Sequence, residues 1–300
     1  MPELPEVETV QRALAPHIDG QLIHKISFFT PRLRQELKED DFNQTFQNKK
    51  ITALIRRSKY LIFQIEGTQW ILSHLGMTGS WRIVAKDEKR LKHEHISLAL
   101  NEGDQELRYC DPRRFGEFRI IKAAQDDQDP QALSHLGPEP FWNEYNATYL
   151  FAASRKKTKP VKNFIMDPSV VCGIGNIYAS ESLFRAGISP LRKIGKLRRV
   201  DCEALVKQSR IILQSAIEAG GTTIIDFQAP DGSEGWFHRQ LNVYGRKDEA
   251  CFKCQTPIKK ITQAGRSSFY CPRCQKWLHL LTSLQICFPP HYSAFSSLVF

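Results

Sequence analysis

Residues 251–274 read CFKCQTPIKKITQAGRSSFYCPRC, a stretch in which sixteen residues separate two Cys-x2-Cys pairs. Each pair can offer two thiolates to one ion, and four thiolates make the closed tetrahedral site that structural zinc prefers. Four reduced thiols without a metal are the alternative, but a module this short cannot build its own hydrophobic core and needs such a staple. We therefore predict one structural Zn2+ with four ligands: Cys251, Cys254, Cys271 and Cys274.

The segment between the cysteine pairs is basic and contains a turn at Gly265. It predicts a β-hairpin with Arg266 beside its tip. An arginine in this place can enter a groove or hold a phosphate, although an exposed arginine without a role is common.

The chain as a whole carries a positive surplus. Among its 300 residues Lys and Arg number 42 and Asp and Glu 32, which gives a net charge of +10, and the mean hydropathy is −0.38. These values exclude a disordered tail protein and a collagen-like fibre. The surplus favours nucleic acid as a partner ahead of an anionic membrane surface, while a globular protein that is merely basic is the alternative. We also expect a cytoplasmic protein without membrane contact, because the sequence has no signal-peptide pattern and no long apolar span.

Apolar spacing changes along the chain. Val7, Val10, Leu14 and Ile18 recur at helical intervals and predict a helix over residues 5–19. Short β-branched and aromatic segments follow, and they predict an antiparallel sandwich or barrel. These segments are Leu22–Phe29, Ile51–Arg56, Tyr60–Glu66, Trp70–His74, Ser80–Val84, His95–Leu100, Glu106–Cys110 and Glu117–Ile121.

The second half of the chain is predicted to be helical. The helical segments are Tyr149–Lys157, Ile177–Ala186 and Val200–Ala219, followed by a long loop over 222–244. Trp277–Phe300 contains no Asp, Glu, Lys or Arg and predicts a poorly ordered tail. We expect five parts: an N-terminal domain at 1–122, a linker at 123–148, a helical domain at 149–244, the cysteine module at 245–275 and the tail at 276–300.

The first residues of the chain include groups that can take part in catalysis. Removal of Met1 would leave Pro2 with a secondary amine, and an α-amine titrates near pH 8, at roughly 7.7–8.0 for ordinary residues, so that part of it is a nucleophile at neutral pH. Glu3 beside it can act as a general acid or base. An ordinary Met-Pro start is common, so residues 1–6 alone do not establish catalysis.

Three further motifs are candidates for nucleic-acid contacts. The turn Gly173–Tyr178 leads into a helix whose free amides, with Asn176 as the cap, would form a phosphate site, and Lys162 lies upstream. The other two motifs are HLGM (74–77) and DPRRFG (111–116). Their Met77 and Phe115 are candidate apolar wedges in a base stack, with Arg113 filling the gap left by an extruded base. Core packing is the more frequent role for a Met or Phe near a strand end.

Taken together, these motifs resemble a known family. MPELPEVET (1–9), HLGMTG (74–79), DPRRFG (111–116) and GNIYASE (175–181) occur in order before the four-Cys finger. Over residues 1–276 the chain is similar to the bacterial formamidopyrimidine-DNA glycosylases. Members of the endonuclease VIII-like sister branch usually begin with Pro-Glu-Gly-Pro and lack the DPRRFG motif.

The resemblance implies an α+β fold: an N-terminal antiparallel β-sandwich with a leading helix, then a helical helix–two-turn–helix domain with a zinc-finger β-hairpin. It implies a monomeric, bifunctional DNA repair enzyme that flips out and excises oxidised purines (8-oxoguanine, formamidopyrimidines) from double-stranded DNA and cleaves abasic sites by β,δ-elimination through a Schiff base. Such a bacterial enzyme would be nucleoid-associated when bound to DNA. The segment 222–243 would be its lesion-capping loop.

The same resemblance assigns roles to single residues. The implied catalytic residues are Pro2 as the nucleophile, Glu3 as the acid for sugar opening, Lys59 for β-elimination and Arg266 for δ-elimination. The implied DNA-binding residues are His74, Met77, Arg113, Phe115, Lys162 and Asn176.

Two departures and two alternatives accompany this assignment. The usual Ile-Lys-Pro of the family reads Val161-Lys162-Asn163 here, which leaves the setting of Lys162 open, and 277–300 has no counterpart. A glycosylase for oxidised pyrimidines and a non-catalytic DNA-binding protein of the same fold are the alternatives. The combination of Pro2, Glu3 and Lys59 argues against the second, because a binding module does not need these residues.

Overall fold

A computed structural model describes residues 2–101, 104–124, 128–222 and 236–276. Its first element is helix α1, Leu4–Ile18, which has Pro5 in its first turn and buries the predicted apolar stripe completely. The backbone N–H of Glu3 donates to Glu6 Oε2 over 2.8 Å, as in a capping box, and so fixes the start of the helix.

Eight strands form two antiparallel sheets in the N-terminal half. One sheet has the order β1-β6-β7-β5, from Ile23–Phe28, Glu94–Leu100, Gln105–Cys110 and Ser80–Ala85. The other has the order β2-β3-β4-β8, from Ile51–Arg57, Tyr60–Ile65, Gln69–His74 and Glu117–Lys122. Their inner faces share one core, in which the rings of Phe63, Trp81 and Phe118 lie 5.7–6.4 Å apart. The predicted sandwich is therefore confirmed, and each of its predicted strands ends within one residue of the observed bounds.

Helix α2, Glu39–Phe46, is absent from the prediction. Its only buried side chains are Phe42 and Phe46, which are too few to give a helical stripe. Tertiary contacts hold it instead, because the Asn43 side chain donates to and accepts from the backbone of Ile26 at 2.8 Å.

The second half is helical, with its own core. It contains α3 (Ala147–Ser154), α4 (Val161–Ile165), α5 (Asn176–Arg185) and α6 (Arg199–Glu218). The three long helices agree with the prediction to within about a turn, and only the five-residue α4 is missing from it. Among the helices in the described ranges, none combines the length and the apolarity needed to cross a membrane.

A hairpin closes the described part of the chain, with strands β9, Lys259–Gln263, and β10, Arg266–Tyr270. This confirms the predicted hairpin. The buried Glu181 of α5 accepts backbone N–H groups from Asn242, Val243 and Tyr244 at 2.8–3.1 Å and thereby anchors the approach to the hairpin. The expected loop at 222–243 falls mostly, and the expected tail almost entirely, outside the described residues.

Candidate active site

The start of the chain is buried against the turn that leads into α5. The Glu3 carboxylate is 2 % exposed and accepts the backbone N–H groups of Gly175 and Ile177 at 2.8 and 2.9 Å. A Cβ on Gly175 would lie 2.2 Å from the Glu3 carboxyl carbon, so only glycine permits this approach. Pro2, next in the chain, is buried at the same place.

This arrangement corrects one prediction. Gly175, not Asn176, occupies the N-cap position of α5, and the cap acceptor comes from Glu3, 172 positions away. The amides expected to bind phosphate are therefore already used by a carboxylate. Asn176 instead accepts from Lys162 Nζ through Oδ1 at 2.6 Å and donates from Nδ2 to the Tyr244 hydroxyl at 3.3 Å.

Glu6 forms a second buried carboxylate site behind Glu3. It accepts from the Tyr178 hydroxyl at 2.6 Å and from the Thr222 backbone N–H at 2.8 Å. Burial raises the pKa of Glu6, and the neighbouring Glu3 raises it further. The sequence feature that marks Glu6 is its capping-box spacing from Glu3. Its partners Tyr178 and Thr222 lie too far along the chain to give a sequence signal.

Lys59 lies in the turn between β2 and β3. The preceding Ser58 adopts the left-handed region with φ 57°, and its N–H donates to Glu139 Oε1 at 2.6 Å. Burial lowers the pKa of Lys59, as does Arg266, while Glu3 opposes the shift. The amine therefore lies within electrostatic reach of both residues and loses its proton more readily than an ordinary lysine.

Glu139 anchors this turn from the linker region and was missed by the sequence analysis. Its carboxylate is 2 % exposed, and it accepts from the guanidinium groups of Arg56 and Arg57 at 2.8 and 3.0 Å. The buried Cys172 thiol donates to the same carboxylate at 3.2 Å, and burial raises the pKa of this thiol to about 12. Cys172 is thus an inert packing group at neutral pH.

A cavity of about 190 Å³ lies between these elements. It is lined by Ser58, Lys59, Tyr60, His74, His135, Leu136, Met166, Pro168, Gly173, Ile174 and Arg266. Burial, with Arg34 and Lys59 nearby, lowers the pKa of His74 to about 4. His74 Nδ1 accepts the N–H of Gly76 at 2.9 Å, so the neutral ring carries its proton on Nε2 and presents a donor.

The loops of the HLGMTG motif (74–79) and the DPRRFG motif (111–116) pack on each other beside this cavity. The buried Asp111 organises the second loop, since it accepts the Thr78 hydroxyl at 2.5 Å and the Gly116 N–H at 2.8 Å. Phe115 is 46 % exposed, which excludes simple core packing for this ring, and the Arg113 guanidinium lies 4.8 Å from its centre.

Met77, on the first of these loops, is half-buried. The loops therefore present an aromatic ring with a cation above it.

Four thiols in the C-terminal module fit one zinc ion. The sulfur atoms of Cys251, Cys254, Cys271 and Cys274 lie within 4.8 Å of one another, with the closer pairs at 3.4–3.9 Å. A tetrahedral Zn–S4 site with bonds of about 2.3 Å requires sulfur separations of nearly 3.8 Å. The predicted structural zinc is therefore confirmed by the donor set, which holds both ends of the hairpin that carries Arg266.

Three family models match the chain. Residues 1–118 match the formamidopyrimidine-DNA glycosylase N-terminal domain, 136–228 match the H2TH domain of the same enzymes, and 248–276 match the zinc finger found in FPG and IleRS. Proteins named formamidopyrimidine-DNA glycosylase from Pasteurella multocida and Cellvibrio japonicus are 45 % and 46 % identical over 276 residues, which is 92 % of this chain and all of each relative.

Solved structures give the same result. A complex of a Lactococcus lactis FPG mutant with Fapy-dG-containing DNA is similar with a TM-score of 0.83 and 35 % identity, over 92 % of this chain and all of that one. A complex of Lactococcus lactis Fpg with abasic-site DNA has a TM-score of 0.82 and 35 % identity, over 91 % and 99 % of the two chains.

Proposed function

The chain belongs to the formamidopyrimidine-DNA glycosylase family, and on this premise we propose that it excises oxidised purines from double-stranded DNA through Pro2 and then cleaves the abasic strand. One observation carries the proposal: the Pro2-Glu3 start is buried against α5 beside Lys59, whose pKa responds to both Glu3 and Arg266. This arrangement supports the roles that we propose for Pro2, Glu3 and Lys59 as nucleophile, proton carrier and amine base.

The proposed substrate is duplex DNA with an oxidised base or an abasic site, as in the complexes of the Lactococcus lactis relatives. We assign the void left by the flipped nucleotide to Met77, Arg113 and Phe115, because the ring of Phe115 is exposed and paired with a cation. We assign phosphate contacts to His74, Asn176 and Arg266, each of which offers an N–H donor.

The proposed chemistry begins once Met1 has been removed. The Pro2 nitrogen attacks C1′ of the flipped nucleotide, and the bond from C1′ to the base breaks. Glu3 takes a proton from the Pro2 nitrogen and passes it to the sugar ring oxygen as the ring opens, which leaves an iminium ion between Pro2 and C1′.

Strand cleavage follows from the iminium ion, which acts as an electron sink. Lys59 removes a proton from C2′ and the 3′ phosphate leaves; its lowered pKa supports this role, because more of the amine is unprotonated at neutral pH. Arg266, beside the same cavity, assists the second elimination at the 5′ side.

The zinc ion supplies no chemistry in this scheme; it fixes the hairpin that bears Arg266. We propose the division into parts at 1–122, 123–148, 149–244 and 245–275, with 222–243 as the capping loop. We also propose that the protein acts as a monomer in the cytoplasm and on the nucleoid, in keeping with a net charge of +10.

Borohydride trapping tests the proposal. With an 8-oxoguanine duplex, we expect a covalent protein–DNA adduct whose modified peptide begins at residue 2. A matched chain with a short extension before Pro2 should give no adduct, because its Pro2 nitrogen is an amide. Undiminished trapping by the extended chain would contradict the nucleophile assignment.

The same assay separates the two alternatives. A duplex with thymine glycol should give less adduct and less strand cleavage than one with 8-oxoguanine. Cleavage of the thymine glycol strand alone would instead support the oxidised-pyrimidine enzyme, and binding without any adduct would support the non-catalytic protein.

A further inference from the structure

We propose that Lys162 is a positioning residue: it fixes the amide of Asn176 and the strand that begins at Arg266, so that both can bind DNA phosphates, and makes no DNA contact itself. This inference rests on the proposed function, since it takes Asn176 and Arg266 as phosphate-binding groups. It departs from the role that the sequence resemblance implies for Lys162.

The first argument is that the hydrogen-bonding capacity of Lys162 is fully used. The residue is 1 % exposed, and its Nζ donates to Asn176 Oδ1 at 2.6 Å, to the Ser267 carbonyl at 2.9 Å and to Ser268 Oγ at 2.8 Å. An ammonium group has three donors and no acceptor. A contact with a DNA base would therefore cost one of these bonds.

The second argument concerns the orientation of the Asn176 amide. Because Lys162 only donates, the Asn176 atom that faces it must be Oδ1, and Nδ2 must point the other way, where it donates to Tyr244 Oη. The second hydrogen of Nδ2 then remains for a phosphate oxygen. Without Lys162 the Asn176 amide can rotate and turn its oxygen towards the phosphate. The negative phosphate repels this oxygen, which cannot donate a hydrogen bond.

The third argument concerns the hairpin. The two acceptors on β10, Ser267 and Ser268, directly follow Arg266 in the chain. A cavity of about 180 Å³ separates the rest of α4 from the hairpin tip and is lined by Lys162, Asn163, Met166, Gln263, Ala264 and Arg266. The bonds from Lys162 tie α4 to the start of β10 beside this cavity.

The charges around Lys162 allow a second test of the inference, the pH dependence of DNA affinity. Burial and the nearby Arg266 lower the pKa of Lys162 to about 8, and Glu3 opposes this shift. A neutral amine has two N–H groups for three acceptors, so the positioning bonds weaken as the pH rises through this value. Tyr244 is the other titratable group at this amide, and burial raises its pKa away from that range.

The experiment measures affinity for a duplex with a tetrahydrofuran abasic analogue, which cannot be cleaved. We expect Lys162→Met to weaken binding by about tenfold or more, in line with the loss of charged hydrogen bonds. In a background that carries Asn176→Ala and Arg266→Ala, the same substitution should change affinity by less than about twofold, because the groups that it positions are gone. Lys159→Met, a control at an exposed lysine bonded to Asp167, should have little effect in either background.

A tenfold loss from Lys162→Met in the doubly substituted background would overturn the inference and indicate a direct DNA contact. So would full affinity of the single variant. Melting temperature and zinc content verify folding. If Lys162→Met does not fold, the wild-type affinity decides: it should fall between about pH 7 and 9.5, and the fall should be clearly smaller in the Asn176→Ala, Arg266→Ala chain, where Lys59, whose pKa is also lowered, still titrates. An equal fall in both chains would overturn the inference. Failure of the wild type to bind or to be trapped would contradict the proposed function itself.

Discussion

Glu3 has a structural role in the fold and a proposed catalytic one. It caps α5 with a carboxylate that accepts backbone N–H groups at 2.8 and 2.9 Å, and it stands next to the proposed nucleophile. These bonds fix the position from which, in the proposed mechanism, the carboxylate exchanges a proton with Pro2.

Replacement of Glu3 by Gln separates base excision from strand cleavage. Base excision from an 8-oxoguanine duplex should fall by about 10²–10⁴-fold, the usual contribution of a general acid–base. Cleavage of a preformed abasic site should stay within about tenfold, because the Pro2 amine is unchanged. Single-turnover rates on the two substrates measure the difference, and Glu8→Gln on the same helix is the control. Equal losses on both substrates would contradict the role.

His74 predicts a pH dependence of stability. Its pKa is about 4 in the folded protein and near 6.5 when unfolded, so the unfolded chain binds the extra proton between these values. Stability contributed by His74 is thus present above about pH 6.5 and is lost as the pH falls towards 4, by about 2–3 kcal/mol.

Urea unfolding at pH 7.5 and 4.5 measures this effect. The loss on acidification should be smaller in His74→Asn by roughly that amount. Identical losses in the two proteins would mean that His74 is charged in the fold.

At the residue scale, prediction from sequence succeeds where neighbours in the chain carry the signal. The zinc ligands are an example, because their Cys-x2-Cys spacing is visible in the chain. Pro2 and Glu3 stay predictions, which the opening residues support only together with the other motifs. The buried contacts of Glu6 and Glu139 cannot be predicted from the sequence, because their partners Thr222 and Arg57 lie 216 and 82 positions away. The capping-box spacing of Glu6 from Glu3 indicates a helix start but not the contact with Thr222. Asn176 was misplaced as a cap for the same reason: the acceptor that replaced it comes from the other end of the chain.

At the scale of elements, the turn before α5 depends on the absence of a side chain at Gly175. Gly175→Ala places a methyl group 2.2 Å from the Glu3 carboxyl carbon. We expect base excision to fall by at least about 100-fold, comparable to the loss of an acid–base group. Gly245→Ala is the control for backbone strain alone: its φ of +82° disfavours alanine, but its Cβ meets nothing within 4 Å, so activity should be retained. Wild-type rates in Gly175→Ala would show that Glu3 need not keep its position.

The zinc module gives a second prediction at this scale. Cys271→Ser should release the metal and weaken binding to a lesion duplex by about tenfold or more, because the hairpin loses its staple and Arg266 its fixed position. Metal analysis and a binding titration measure both effects. Cys110→Ser, at a cysteine outside the module, should retain zinc; full zinc content in Cys271→Ser would contradict the assignment.

Strands were the most predictable elements, since alternation and separating turns mark each of them. Helix α2 escaped prediction because two phenylalanines four residues apart, Phe42 and Phe46, do not define a stripe, and its stability comes from contacts with β1. The pairing order of the strands was not predictable either, because register and sheet order depend on contacts between distant segments.

For the whole molecule, the positive surplus predicts strong salt dependence. Each phosphate that a lysine or arginine neutralises contributes a log–log slope of about 0.9, so a clamp that uses Arg266 and two further basic side chains should lose about 40-fold in affinity between 50 and 200 mM salt. Fluorescence anisotropy with an uncleavable abasic duplex measures the slope. A chain of net charge +10 that shows a flat titration would contradict electrostatic clamping of DNA.

The contact between Glu3 and Gly175 also orders events during synthesis. Glu3 leaves the ribosome long before α5 is synthesised. The N-terminal residues therefore stay exposed until more than half of the chain has emerged. The proposed removal of Met1 is easiest in this interval, because Pro2 is buried afterwards. A chain that stops before α5 therefore lacks the contact that buries Glu3.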